Sequence, residues 1–351
     1  RDSKRLALDL DNLGADRGES VGPFNLVLSA GTLARNLPAV LDIYADVVRR
    51  PHLPADELEA AQDLALQDIQ GLEDSPQEKV VLELKRRHYP APLNRDKYGT
   101  AEGVQAVTAA GLTAHARRHF RPRGAILSVA GNVDWPRLKE QVERLFGDWS
   151  GDDIPVPAPS GSHAPRSEHL HKDTQQTQIA LAFPSASFAD PDYYAARGAV
   201  GVLSGGMSAR LFTEVREKRG LCYSVYASHD TTKDRGAVVC YAGTRSEKAQ
   251  QTLDVTVAEL RRLKDGVSVE EIDRVRAGLK ASLVMQQEST AARAGSMASE
   301  WFYLGRVRPF AEIDAAIAGL SPAAVLTYLE RFPVADPTLV TLGPDPLTMP
   351  G

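Results

Sequence analysis

Laid over itself at a shift of 212 residues, this chain matches itself, and that constrains its fold more than any other feature. "VLSAGTLARNLPAVLDIYADVVRR" (Val27 to Arg50) faces "VCYAGTRSEKAQQTLDVTVAELRR" (Val239 to Arg262), sharing Val-x-x-Ala-Gly-Thr, then Leu-Asp-Ile/Val, then Arg-Arg. After a two-residue insertion in the second copy, "LPADELEAAQDLALQ" (Leu53 to Gln67) faces "VSVEEIDRVRAGLKA" (Val267 to Ala281), each with an acidic helix start. The shift then returns to 212, placing "HFRPRGAILSVAG" (His119 to Gly131) over "RFPVADPTLVTLG" (Arg331 to Gly343). One such match could be chance, but several in the same order could not.

The repeat predicts an α+β protein of two homologous domains, each an antiparallel-rich sheet packed with helices. The expected boundaries are residues 1–150 for the first domain, 151–166 for a linker and 167–351 for the second. The linker "GDDIPVPAPSGSHAPR" is rich in Pro, Gly and Ser, which break helical and strand periodicity. The second copy carries a β-run "TQIALAFP" and a helical "PDYYAARGAVGVLSGG" ahead of its Ala-Gly-Thr turn, and the first copy has no counterpart. The first domain is therefore expected to lack its N-terminal strand and most of its first helix.

Composition excludes several functions. The net charge is −5 with no basic stripe, which argues against nucleic acid. No apolar run approaches the roughly 18 to 20 residues that span a bilayer. The expectation is a soluble protein, cytoplasmic or periplasmic in a bacterial-type cell, its compartment otherwise unknown. Only Cys222 and Cys240 occur; a single disulfide between neighbouring strands would be open to them, but the favoured reading is two buried free thiols.

One stretch remains, "GGMSARLFTEVREKRGLCYSVY" from Gly205 to Tyr226. Its spacing alone gives a short amphipathic helix with Leu211, Phe212 and Val215 on one face, closed by Gly220. A strand follows, with Cys222, Ser224 and Tyr226 on one face and Leu221, Tyr223 and Val225 on the other. The stretch closely resembles the C-terminal-domain motif of the pitrilysin, insulinase and mitochondrial processing peptidase family of zinc metallopeptidases, whose members are built from duplicated α+β domains. The Ala-Gly-Thr turn, the "FRPRGAILSVAGNV" segment, expected to be a strand, and the linker extend the resemblance over essentially the whole chain.

That resemblance implies that Arg216 and Tyr223 act on a peptide substrate. A guanidinium can hold a backbone carbonyl, and a phenol can donate to an oxyanion. Gly205, Gly206, Ser208 and Arg210 are the expected substrate-binding residues around them, the glycines admitting close approach of an extended peptide. The family's zinc motif, His-x-x-Glu-His, occurs nowhere in this sequence. The third-ligand position falls on Asp68, whose arm is shorter than that of the family's Glu, and Ala61 stands where a second acidic residue is usual. No zinc is expected on this chain alone. "HARRH", with His115 and His119 four apart, lacks an acidic member; His169 and His171 are expected to be exposed, and Cys222 has no His partner to make it a nucleophile.

The resemblance leaves three readings. The favoured one is a noncatalytic partner subunit that binds peptide and supplies Arg216 and Tyr223 to a zinc-bearing relative, in a homodimer or heterodimer. The second is a complete zinc metalloendopeptidase whose His-x-x-Glu-His segment is missing from this sequence. The third is a nonenzymatic, core-type structural subunit.

Overall fold

The structure is a computed structural model that describes residues 2–152 and 166–351; most of the expected linker lies outside them. In chain order the elements are α1 (Ser3–Asn12), β1 (Asp16–Val21), β2 (Leu26–Gly31), α2 (Leu37–Arg49), α3 (Leu58–Gly71), α4 (Pro76–His88), α5 (Ala101–Gln105), α6 (Ala109–His119) and α7 (Trp135–Phe146). They continue as β3 (Ser167–His171), β4 (Gln176–Ser185), α8 (Tyr193–Ser204), β5 (Cys222–Thr231), β6 (Gly236–Arg245), α9 (Ala249–Arg261), α10 (Val269–Glu288), α11 (Thr290–Leu304), α12 (Phe310–Ala318), α13 (Pro322–Arg331) and β7 (Thr338–Gly343). The class is α+β, as the repeat predicts, and α2 and α9 begin 212 positions apart.

Two compact units form, and neither coincides with a half of the sequence. The first takes the described residues of 2–71 and 95–152 together with 287–299; the second takes 72–94, 166–286 and 300–351. The chemistry of α4 explains its place in the second unit. Val80 and Leu84 are fully buried and share one apolar cluster with Ala180, Ala182, Val239, Tyr241, Val340 and Leu342 of the sheet. Burying side chains of this size stabilises by about 1.5–3 kcal/mol each, so α4 covers a sheet face that would otherwise meet water.

The second unit is a five-stranded sheet in the order β3-β7-β4-β6-β5, antiparallel except for the β3–β7 pair. Alternation along the strands sorts the side chains between its faces. Ile179, Leu181 and Phe183 of β4 join Val238, Cys240 and Ala242 of β6 in the larger core, with α8, α9 and α13. The intervening residues meet α4. Among the described residues no single helix is long and apolar enough to cross a membrane; the bent pair α12 and α13 is apolar enough by composition, yet buries Ile317, Val325, Tyr328 and Leu329.

The first unit has the β1–β2 hairpin and a small core of Leu10, Ala15, Val40 and Ile43. Here one expectation fails. The β-run over residues 124–130 forms no strand, and Ile126 and Leu127 are exposed. Its counterpart β7 is held between β3 and β4. Without ladder neighbours among the described residues, the same sequence pattern has nothing to pair with.

Candidate functional site

The site residues lie where α8 gives way to β5. Helix α8 ends at Gly205, whose N–H donates to the Gly201 carbonyl at 2.7 Å. A Cβ on Gly205 would lie 2.4 Å from that carbonyl oxygen, so the turn requires glycine. Gly206 has φ +144, a second position that favours glycine, and Met207 and Ser208 then project into solvent. Leu211 and Val215, both fully buried, anchor the next turn in the core.

Arg210 does not face this opening. Its Nε and Nη2 reach the two carboxylate oxygens of Glu271 at 2.7 and 2.8 Å, and Nη2 also donates to the Gly266 carbonyl at 2.8 Å. Both side chains are largely buried, and the Arg210 hydrogen bond holds the Glu271 carboxyl below the ordinary range. Glu271 in turn accepts from the Ser268 N–H while Ser268 Oγ accepts from the Glu271 N–H, the reciprocal cap of α10. The expected substrate-binding Arg210 is thus committed to a structural ion pair.

Two irregularities, each holding one residue more than a regular element would, present Arg216 and Tyr223. Phe212–Glu217 is a π-helical turn, not the expected α-helix: Lys218 N–H donates to the Thr213 carbonyl five residues back at 2.9 Å. Gly220 closes it with φ +56, as its position in the sequence predicts. Strand β5 then opens on a β-bulge between Cys222 and Ser224, leaving Tyr223 unpaired and 86% exposed. The bulge also overturns the expected alternation: Cys222 shares the larger core with Val225 and Ala227, while Tyr226 packs on the opposite face.

The outcome is a cation between two rings. The guanidinium carbon of Arg216 lies 5.6 Å from the Tyr223 ring centroid and 5.0 Å from that of Phe212. Lys218 and Arg219 are both tied to Glu214 at 2.7 Å, and these bonds, Lys218 first, pull the Glu214 carboxyl down to about 2. Arg216 alone of the cations in "REKR" has no carboxylate partner among the described residues. Its exposed N–H groups remain available to an acceptor from outside, beside a phenol that is also exposed.

Cys222 is no nucleophile here. Burial pushes its thiol up to about 11, with Arg216 opposing that only in part, and Cys240 is a second buried free thiol pushed up to about 12. The metal candidates also fall apart. Asp68 and Ala61 are exposed on α3, a helix with no buried residue. His115 and His119 stack at 4.2 Å on the surface of α6; His169 is half-buried rather than exposed, with Nδ1 2.9 Å from Thr341 Oγ1, and His171 meets the Pro344 carbonyl. No cluster of three His, Cys, Asp or Glu that could hold a metal forms among the described residues. Zinc needs three or four converging donors, so the described residues do not fit that ion.

Sequence reasoning missed the roles of Glu214, Glu271 and Phe212. The i,i+4 spacing of Phe212 and Arg216, and of Glu214 and Lys218, was the available signal.

Comparison with known proteins bears on the same region. Residues 106–279 match the model of the peptidase M16 inactive domain. An uncharacterized zinc protease of Rickettsia bellii is 26% identical over 99% of this chain and 85% of its own length. One from Streptomyces coelicolor is 28% identical over 97% of this chain and 77% of its own length. The crystal structure of a peptidase M16 inactive domain from Pseudomonas fluorescens superposes with a TM-score of 0.88 at 24% identity, covering 100% of this chain and 86% of that one. A protease from Helicobacter pylori gives 0.87 at 20% identity, over 96% and 84%. At those identities the two structures speak for the fold. Together with the motif from Gly205 to Tyr226, these matches show that the chain resembles the M16 peptidases over nearly its whole length.

Proposed function

We propose that this chain is the peptide-binding, noncatalytic subunit of a two-chain zinc peptidase. In this reading its two halves are copies of one domain, and Arg216 and Tyr223 serve a metal centre carried by a related partner chain. The observation that carries the reading is the exposed Arg216–Tyr223 pair, raised on a π turn and a β-bulge and not engaged by any carboxylate of the described residues. Irregular backbone of this kind gathers at functional sites. Arg216 would hold a peptide carbonyl, and Tyr223 would donate its O–H to the oxygen that gains charge as that carbonyl becomes tetrahedral. Gly205, Gly206 and Ser208 leave the approach open; Arg210 supports the turn from within.

A second reading is a complete zinc peptidase, favoured by relatives that are called zinc proteases over most of their length. Metal analysis separates the two. The purified chain should carry well under one zinc, and peptidase activity should arise only on mixing with a zinc-bearing relative. About one chelator-removable zinc per chain, with activity in the unmixed protein, would favour the second reading.

A further inference from the structure

We propose that Phe212 is a positioning residue for Arg216, holding its guanidinium in line with the Tyr223 phenol; the functional part of this inference rests on the reading above. The periodicity of the stretch puts Phe212 on the same apolar face as Leu211 and Val215. The structure separates them. Leu211 and Val215 are fully buried, whereas Phe212 is only half-buried and turns its ring to the Arg216 guanidinium, 5.0 Å away. Tyr223 stands at 5.6 Å from the same carbon, so the cation touches two rings that reach it from different elements, the π turn and the bulged strand.

An exposed arginine with no carboxylate partner would ordinarily sample many rotamers, and ordering it on a substrate costs side-chain entropy. Contact with aromatic faces restricts that freedom without using the N–H groups, because the ring quadrupole attracts the cation while its donors stay free at the guanidinium edge. A carboxylate would also order Arg216, but it would occupy the donors that a peptide carbonyl needs. Phe212 therefore supplies order without competition. Its backbone is fixed by Leu211 on one side and Val215 three residues on, both set in the core.

The test compares the full chain with Phe212→Leu, Phe212→Met and Phe212→Tyr. The Arg216 Nε–H resonance, assigned by its loss in Arg216→Lys, should show a ring-current shift in the wild type. It should keep that shift in Phe212→Tyr and move toward the value of a free arginine in Phe212→Leu and Phe212→Met. Capture of a fluorescein-labelled casein peptide digest by the chain mixed with its zinc-bearing relative should weaken by about fivefold in the Leu and Met variants and recover in Phe212→Tyr. Melting temperatures should stay close together. An Arg216 resonance unchanged in both apolar variants would overturn the proposal, as would equal loss of the shift in Phe212→Tyr. The resonance does not depend on peptide binding, so a silent Arg216→Ala in the capture assay would sink the peptide-binding reading and leave the geometric proposal decided by its own readout.

Discussion

Gly205 and Arg210 determine whether the turn before the π helix can exist. Because a Cβ at position 205 would press on the Gly201 carbonyl, Gly205→Ala should lower stability by about 1–3 kcal/mol, read as a fall in denaturation midpoint at constant m-value. Arg210→Ala should cost on the order of 2 kcal/mol, because it leaves the half-capped Glu271 carboxylate largely buried and short of its cation. A double variant that also replaces Glu271 by Gln should recover part of that loss. If Arg210 instead served substrate alone, Arg210→Ala would reduce peptide capture with no change in the midpoint.

The ties between elements carry a pH dependence. His229 of β5 donates from Nε2 to the Ala186 carbonyl at 2.9 Å and lies 3.2 Å from Ser185 Oγ of β4, which is 2.8 Å from the Tyr328 hydroxyl of α13. Its Nδ1 is buried with no hydrogen-bond partner among the described residues, and burial pulls the imidazole down to about 4, with Arg197 adding to that and the Ala186 carbonyl and Asp230 opposing it. The unfolded chain would take up this proton near pH 6.5, the folded chain only near 4. The contribution of His229 is therefore fully present above pH 6.5 and is lost as pH falls from 6.5 to 4, by on the order of 3 kcal/mol. Stability curves of the wild type and His229→Gln should diverge across that window and run parallel above it; parallel curves throughout would contradict the assignment. At this scale the sequence was most legible where period and caps agree, as for β4, α8 and the Gly220 stop. It was least legible where a neighbour decides: residues 124–130 have strand composition but no ladder, and α4 belongs to the first half of the sequence yet covers the sheet of the second unit. The π turn and the β-bulge are each one residue out of register, and a period count averages over one residue.

In the whole molecule, a repeat visible in sequence, an M16-like fold and an exposed Arg-Tyr pair come together. The repeat and the motif were readable because they recur or match a pattern. The commitment of Arg210 to Glu271 was not, since 61 residues separate them and only folding brings them together. The central claim is that Arg216 and Tyr223 act on a bound peptide rather than decorate a surface. Its most direct test is steady-state kinetics of the chain mixed with its zinc-bearing relative, measured beside the melting temperature for Tyr223→Phe and Arg216→Ala. The expected result is unchanged melting temperatures, a loss of about 10²-fold in turnover for Tyr223→Phe, the scale of one oxyanion donor, and for Arg216→Ala a raised KM together with a lowered kcat. Turnover and KM equal to wild type in both variants, at equal melting temperature, would contradict it.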